Sequence, residues 1–186
     1  MEGEQLNIHR DLIEGSQKGD LKAQAQLYKL YAGAMYNICR RMLRDDEEAK
    51  DILQESFIHT FDKLDGLREI NTFSSWIKRI VVNNCINTIR KRKLMTTELK
   101  EEWDWQEEEY DDFEYTRHQS QAIMEAVELL PLGCKTVLNL YLFEGYDHKE
   151  IGQILGVTES ASKAQYCKAK SRIRKMLEEN RHQYAG

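Results

Sequence analysis

Apolar residues recur along the first half of the chain at intervals of three and four, the period of an amphipathic helix. After Asp20, whose side chain suits an N-cap, Tyr28, Tyr31, Met35, Ile38 and Met42 follow this rhythm and predict a long helix. Asp45 and Asp46 place negative charge at the positive end of the next helix, which is expected to bury Ala49, Leu53, Phe57 and Phe61. A short polar connector, Asp65 to Thr72, leads into a third long helix through Lys93, and a shorter helix around Leu6 to Ser16 precedes them all. Three or four such helices joined by brief turns close one small core.

The pattern breaks over residues 95–117 and returns at about residue 118. Pro131 stands where a helix begins, with Val137, Leu138, Tyr141 and Leu142 behind it. Asp147 and Glu150 form a D-x-x-E capping pattern ahead of Ile151, Ile154 and Leu155. Gly156 then supplies a turn, Thr158 caps again, and a last helix runs to about Glu179. A short helix and a long basic one meeting at a glycine turn make a helix-turn-helix signal. The expected architecture is therefore all-α: an N-terminal three- or four-helix bundle over 1–94, an acidic linker over 95–117, and a C-terminal four-helix helix-turn-helix domain over 118–186.

Composition sharpens this picture at three points. A chain of 186 residues accommodates one ordinary domain or two small ones, and 32% charged residues with a single proline suit helices on short connectors. The net charge of −5 argues against a nucleic-acid partner only if it is spread evenly, and it is not. Residues 98–114 carry ten acidic side chains against Lys100, a local −9 that leaves the remainder at +4. That segment also holds Trp103, Trp105, Tyr110, Phe113 and Tyr115, so it reads either as a solvated linker or as a strand that docks in a basic channel.

Cys39, Cys85, Cys134 and Cys167 are far apart, lack metal-ligand spacing and sit among apolar neighbours, as packed reduced thiols of a cytoplasmic protein do. The first fifteen residues have no apolar core of signal-peptide length. His9, His59, His118, His148 and His182 are scattered, with no nucleophile–base cluster and no glycine-rich phosphate loop. Neither a cofactor nor catalysis is expected.

Two helix faces carry the chemistry. With residues placed roughly 100° apart, Trp76, Arg79, Asn83, Asn87 and Arg90 share one stripe of the helix from Phe73 to Lys93, opposite Ile77, Val81, Cys85 and Ile89. Arginine meets phosphates, asparagine reads base edges and an aromatic stacks on an unpaired base, so this stripe suits a partly opened DNA strand. The plain alternative is a Trp76 that fills the core edge beside solvated amides.

In the last helix Ser162, Tyr166, Ala169, Ile173 and Leu177 form the inward stripe. Ser160, Lys163, Lys168, Ser171 and Lys175 lie outward, flanked by Gln165 and Arg172. Seven Lys/Arg against two Glu between Lys163 and His182 make this helix suitable for a major groove, or else an ordinary lysine-rich surface. The helix over residues 45–64 differs: Asp51, Gln54, Glu55 and His59 share an acidic outward face that reads as solvated or protein-docking, with solvation the simpler account.

Taken together, three stretches resemble the extracytoplasmic-function (ECF) sigma factors of bacteria. They are DDEEAKDILQESFIHTFDKL, FSSWIKRIVVNNCINTIRKRK and the long run from LPLGCKTVL to SRIRKML, in family order and spacing across about residues 8–180. The resemblance implies a non-enzymatic initiation factor that binds core RNA polymerase and promoter DNA under control of an anti-sigma factor. It assigns Asp51, Gln54, Glu55 and Phe57 to polymerase docking, reversing the solvated reading of the acidic face. It assigns Trp76, Arg79, Asn83, Asn87 and Arg90 to the minus-ten element, with the Asp65–Thr72 loop holding a flipped base. It assigns Ser160, Lys163, Gln165, Lys168 and Arg172 to the minus-thirty-five duplex, and lets the acidic linker thread the polymerase in imitation of a nucleic-acid strand. Ser162, Ala164, Gln165 and Tyr166 stand where many members carry Val, Ser, Arg and Leu or Ile, and Asn87 where many carry Asp, so the bases read do not follow from the resemblance.

Overall fold

The computed structural model describes residues 2–95 and 117–184, with side chains over 9–92 and 121–179. Among these residues there are eight α-helices and no strand. The chain divides into two compact units, Met1–Thr96 and Thr97–Gly186. The tryptophan-bearing acidic stretch falls in 96–116, outside the described residues.

The first unit contains α1 (Glu2–Gln17), α2 (Leu21–Met42), α3 (Asp46–Lys63) and α4 (Phe73–Met95), with 3-10 turns at Leu64–Gly66 and Ile70–Thr72 between the last two. Asp20 caps α2 by accepting the Lys22 N–H at 2.8 Å, and Asp45 caps α3 by accepting that of Glu48 at 2.8 Å. The buried stripe of α2 runs Ala23, Leu27, Met35, Ile38, Cys39 and Met42. Tyr28, expected inside this stripe, stands at its margin, 36% exposed, with its ring centroid 4.6 Å from that of Phe57 in an edge-to-face arrangement. One residue of rotation separates it from Leu27, which takes the inward position instead.

Phe73 opens α4 as the largest of the fully buried side chains, and the Tyr31 ring meets it edge-on at 5.0 Å. Behind it Ile77, Val81, Val82 and Cys85 are sealed from solvent.

The second unit contains α5 (Arg117–Glu128), α6 (Leu132–Leu142), α7 (His148–Leu155) and α8 (Glu159–Tyr184). Its core gathers Val127, Leu130, Cys134, Leu138 and Ala169, with Ile123 and Ile173 against them. The Asp147/Glu150 capping box is formed in both directions, and Thr158 Oγ1 accepts the Ala161 N–H at 3.1 Å to cap α8. Gly156 ends α7 at φ 71°, a left-handed conformation that side chains with a Cβ rarely adopt.

Gly152 matters for a second reason: a Cβ there would lie 2.9 Å from the Val157 carbonyl oxygen, so glycine is what lets the turn cross α7 this closely. On α6 the apolar Tyr141 and Leu142 are 38% and 54% exposed, whereas Lys135 and Asn139 are buried. A lysine is tolerated there because its Nζ meets Glu128 Oε2 at 2.5 Å, so the desolvated ammonium retains a countercharge.

Phe73→Ala should destabilise the first unit by about 3–5 kcal/mol, the cost of truncating a buried phenylalanine. The expected observation is a matching loss of amide hydrogen-exchange protection in α2 and α4, while α6 and α8 stay protected.

Candidate nucleic-acid interface

On α4 the burial of Ile77, Val81, Val82, Cys85 and Ile86 turns the opposite side outward. Arg79, Asn83, Asn87 and Arg90 are exposed there, and Trp76 is half-buried with its ring 6.1 Å from Phe73. One side of that indole rests on the core, which suits a rigid platform for a base.

Asn84, adjacent to Asn83 in sequence, does something different. Its Nδ2 donates to Ser56 Oγ at 3.0 Å and lies 3.4 Å from His59 Nδ1, joining α4 to α3. Ser56 Oγ in turn donates to the Ile52 carbonyl at 2.6 Å. Nothing in the composition of a paired Asn83–Asn84 tells the two apart; only the rotation of the helix does. Near the far end, Arg92 donates to the Glu48 carboxylate, so this member of the basic run is ion-paired to the first turn of α3.

On α3, Asp51, Gln54 and Glu55 are exposed as a contiguous acidic and polar surface. Ile58, 60% exposed, extends the same face one turn further and adds an apolar contact that the sequence reading passed over. Two assignments need correction. Phe57 is 3% exposed and packs against Tyr28 and Phe61, so it supports this surface from the core. His59, placed on the outward face from periodicity, is half-buried beside Asn84.

On α8, Ser160, Lys163 and Arg172 are exposed and Lys168 is half-buried. Lys163 Nζ lies 2.7 Å from Glu159 Oε1, one helical turn away, and this bond raises the lysine pKa and lowers that of the glutamate. Gln165 is the exception in this group. It is half-buried, its Oε1 accepting from Cys134 Sγ at 3.0 Å, so base contact requires that it leave α6. Ser162, fully buried, bonds His148 Nδ1 at 2.9 Å, and the His148 ring stacks on Tyr141 at 4.5 Å. This side-chain bridge joins the first residue of α7 to α8, and Tyr166, 4.7 Å from Tyr141, closes the cluster.

Among the described residues no group of three His, Cys, Asp or Glu could hold a metal ion, and no helix is long and apolar enough to cross a membrane. The four cysteines are free thiols.

Each unit has its own match among known families. Residues 27–94 match the family model for sigma-70 region 2, and residues 120–173 match that for sigma-70 region 4. The chain is 28% identical over 180 residues to the ECF RNA polymerase sigma factor SigW of Bacillus subtilis, covering 89% of this chain and 94% of the relative. It is 25% identical over 186 residues to the RNA polymerase sigma-H factor of Pseudomonas aeruginosa, covering 91% and 93%.

Solved structures with the same fold include CnrH in complex with the cytosolic domain of CnrY, at TM-score 0.55 and 19% identity over 92% of this chain and 97% of that one. Another is the sigma factor RpoE in complex with the anti-sigma factor NepR from Bartonella quintana, at TM-score 0.55 and 17% identity over 85% and 98%. The fold and its two matched regions define a sigma-70-type initiation factor. The chain belongs to the ECF sigma factor family.

The His148 pKa lies below the ordinary histidine value, first because burial disfavours the imidazolium and then because Lys163 is near. A depressed folded-state value means that the bridge is fully supported above the ordinary histidine pKa of 6.5 and loses support as the pH falls below it. Proton-detected titration of the imidazole should place its midpoint below that of His148 in the unfolded chain, and in the His148→Phe variant the stability of the second unit should depend less on pH between about 5 and 7.

Proposed function

We propose that this chain binds core RNA polymerase, carries it to a set of promoters and provides the surface on which their minus-ten element opens. The observation that carries this reading is the pairing of two family regions, in order, with two separate outward stripes of nucleic-acid-binding chemistry. Arg79, Asn83, Asn87 and Arg90 supply phosphate and base contacts to the minus-ten strand, and Trp76 a stacking face. Stacking of this kind is worth roughly 1–3 kcal/mol per base, which offsets much of the cost of unpairing. The exposed connector after α3 receives a flipped base.

In the second unit Ser160, Lys163, Lys168 and Arg172 meet the minus-thirty-five duplex, and Gln165 joins them on release from Cys134. Asp51, Gln54 and Glu55, with Ile58, dock on the polymerase. The segment 95–117 between the two matched regions threads into the basic interior of the enzyme. Relatives of this fold are held by anti-sigma factors, as the RpoE–NepR complex is, and an anti-sigma factor is the proposed regulator here. The protein acts in the cytoplasm, where template and polymerase are.

The joint variant Asp51→Ala, Gln54→Ala should weaken binding to core polymerase by roughly tenfold or more, measured by fluorescence anisotropy, without loss of helicity. A helix-turn-helix regulator that works without polymerase contact would show no change. Lys168→Ala should weaken promoter binding across sequences and reduce the slope of log K against log salt by about 0.9. An unchanged slope would remove Lys168 from the phosphate contacts.

A further inference from the structure

The connector between α3 and α4 is held from behind by the last residue of α1. Gln17 Nε2 donates to the Leu64 carbonyl at 3.0 Å and to the Leu67 carbonyl at 3.1 Å. A carboxamide has one nitrogen with two N–H groups and one acceptor oxygen, so two carbonyl partners determine which end faces the connector. The same carbonyls bracket the first 3-10 turn, where the Leu67 N–H already donates to the Leu64 oxygen at 3.0 Å. Their side chains are core pegs, Leu64 fully buried and Leu67 8% exposed.

Immediately after the second peg, Arg68, Glu69, Asn71 and Thr72 are all exposed. The Glu69 carbonyl accepts both the Thr72 N–H at 2.9 Å and the Thr72 hydroxyl at 2.7 Å. The connector therefore has an anchored base and a polar rim.

Gln17 is itself placed with care. Ser16 is buried, the Asp20 N–H donates to the Gly15 carbonyl at 3.0 Å, and Gln24 Nε2 reaches the Ser16 carbonyl at 3.4 Å. A Cβ on Gly15 would lie 3.0 Å from Ala23 Cβ, which shows how closely the end of α1 abuts α2. The amide that grips the connector thus belongs to the rigid α1–α2 corner.

We propose that Gln17 is a positioning residue for base discrimination: by clamping Leu64 and Leu67 from α1, it sets the rim of the connector at the height and tilt at which an extruded minus-ten base is read. The inference rests on the reading of that connector as the pocket for the flipped base. A 3-10 turn is short and its own hydrogen bonds are poorly aligned, so it holds a rim weakly when unsupported. Selection by hydrogen bonds needs groups held within about 0.5 Å of the productive geometry. Without the clamp the rim samples several settings, and the penalty for a wrong base falls.

The test uses the full chain with core polymerase and fluorescent single-stranded oligonucleotides carrying each of the four bases at every minus-ten position in turn. Gln17→Met and Gln17→Glu keep the length of the side chain and remove both donors. Wild-type complexes should prefer one base strongly at the captured position. Both variants should lose about tenfold of that preference, about 1.4 kcal/mol of discrimination, while affinity for core polymerase, preference at the other positions and binding of minus-thirty-five duplex stay as in the wild type. Lowered stability alone would reduce the active fraction and leave the preference ratio intact.

A wild-type complex with no base preference overturns the capture reading and the role of Gln17 with it; variants with wild-type preference overturn the Gln17 role alone. Should neither variant fold, the wild-type protein still decides. The Gln17 side-chain amide protons should exchange with solvent more slowly than those of exposed Gln54, and equal rates would overturn the clamp.

Discussion

A helix that commits Ile77, Val81, Val82, Cys85 and Ile86 to the core has no freedom in where Asn83 and Asn87 point. The outward stripes of α4 and α8 depend on constraints of this kind, since each is the reverse side of a buried stripe. Hydrophobic burial is non-directional, so it sets only roughly which way a helix is rolled. Hydrogen bonds that demand alignment set the remainder: Asn84 to Ser56 on α3, and Ser162 to His148 between α8 and α7. In both units a polar bond inside the helix packing helps to fix the roll of the helix that carries the outward residues.

Charge is managed on the same principle. Among the described basic side chains Arg92 pairs with Glu48 and Lys163 with Glu159. These are exposed or part-exposed pairs, which contribute little to stability and are readily exchanged for phosphate.

Much of this was legible from periodicity and caps. The all-α class, the caps at Asp20, Asp147 and Thr158, the glycine turn at Gly156 and the outward positions of Arg79, Asn83 and Asn87 follow from local chemistry acting on nearest neighbours. What escaped is of two kinds. Rotational detail within a stripe was lost where an aromatic and an aliphatic compete for one inward position, as with Tyr28 and Leu27, or where a face bends toward a neighbouring helix, as with His59. Side-chain partners and exposures set by the packing of one helix on another left no pattern at all. Lys135 looks like any surface lysine until Glu128 is seen beside it, Gln165 looks like a base reader until Cys134 takes its oxygen, and Ile58 was absorbed into an otherwise polar face.

The crossing of α7 at Gly152 is set by an absence of atoms, since even a methyl group would strike the Val157 carbonyl. An angle maintained by close backbone approach is indifferent to what the open flank of α8 displays. Ser160 and Arg172 are exposed on that flank, so exchanging them leaves the aim of the helix as it is. What aims the helix and what its open flank displays are thus set by different atoms, apart from Lys163, whose charge reaches His148.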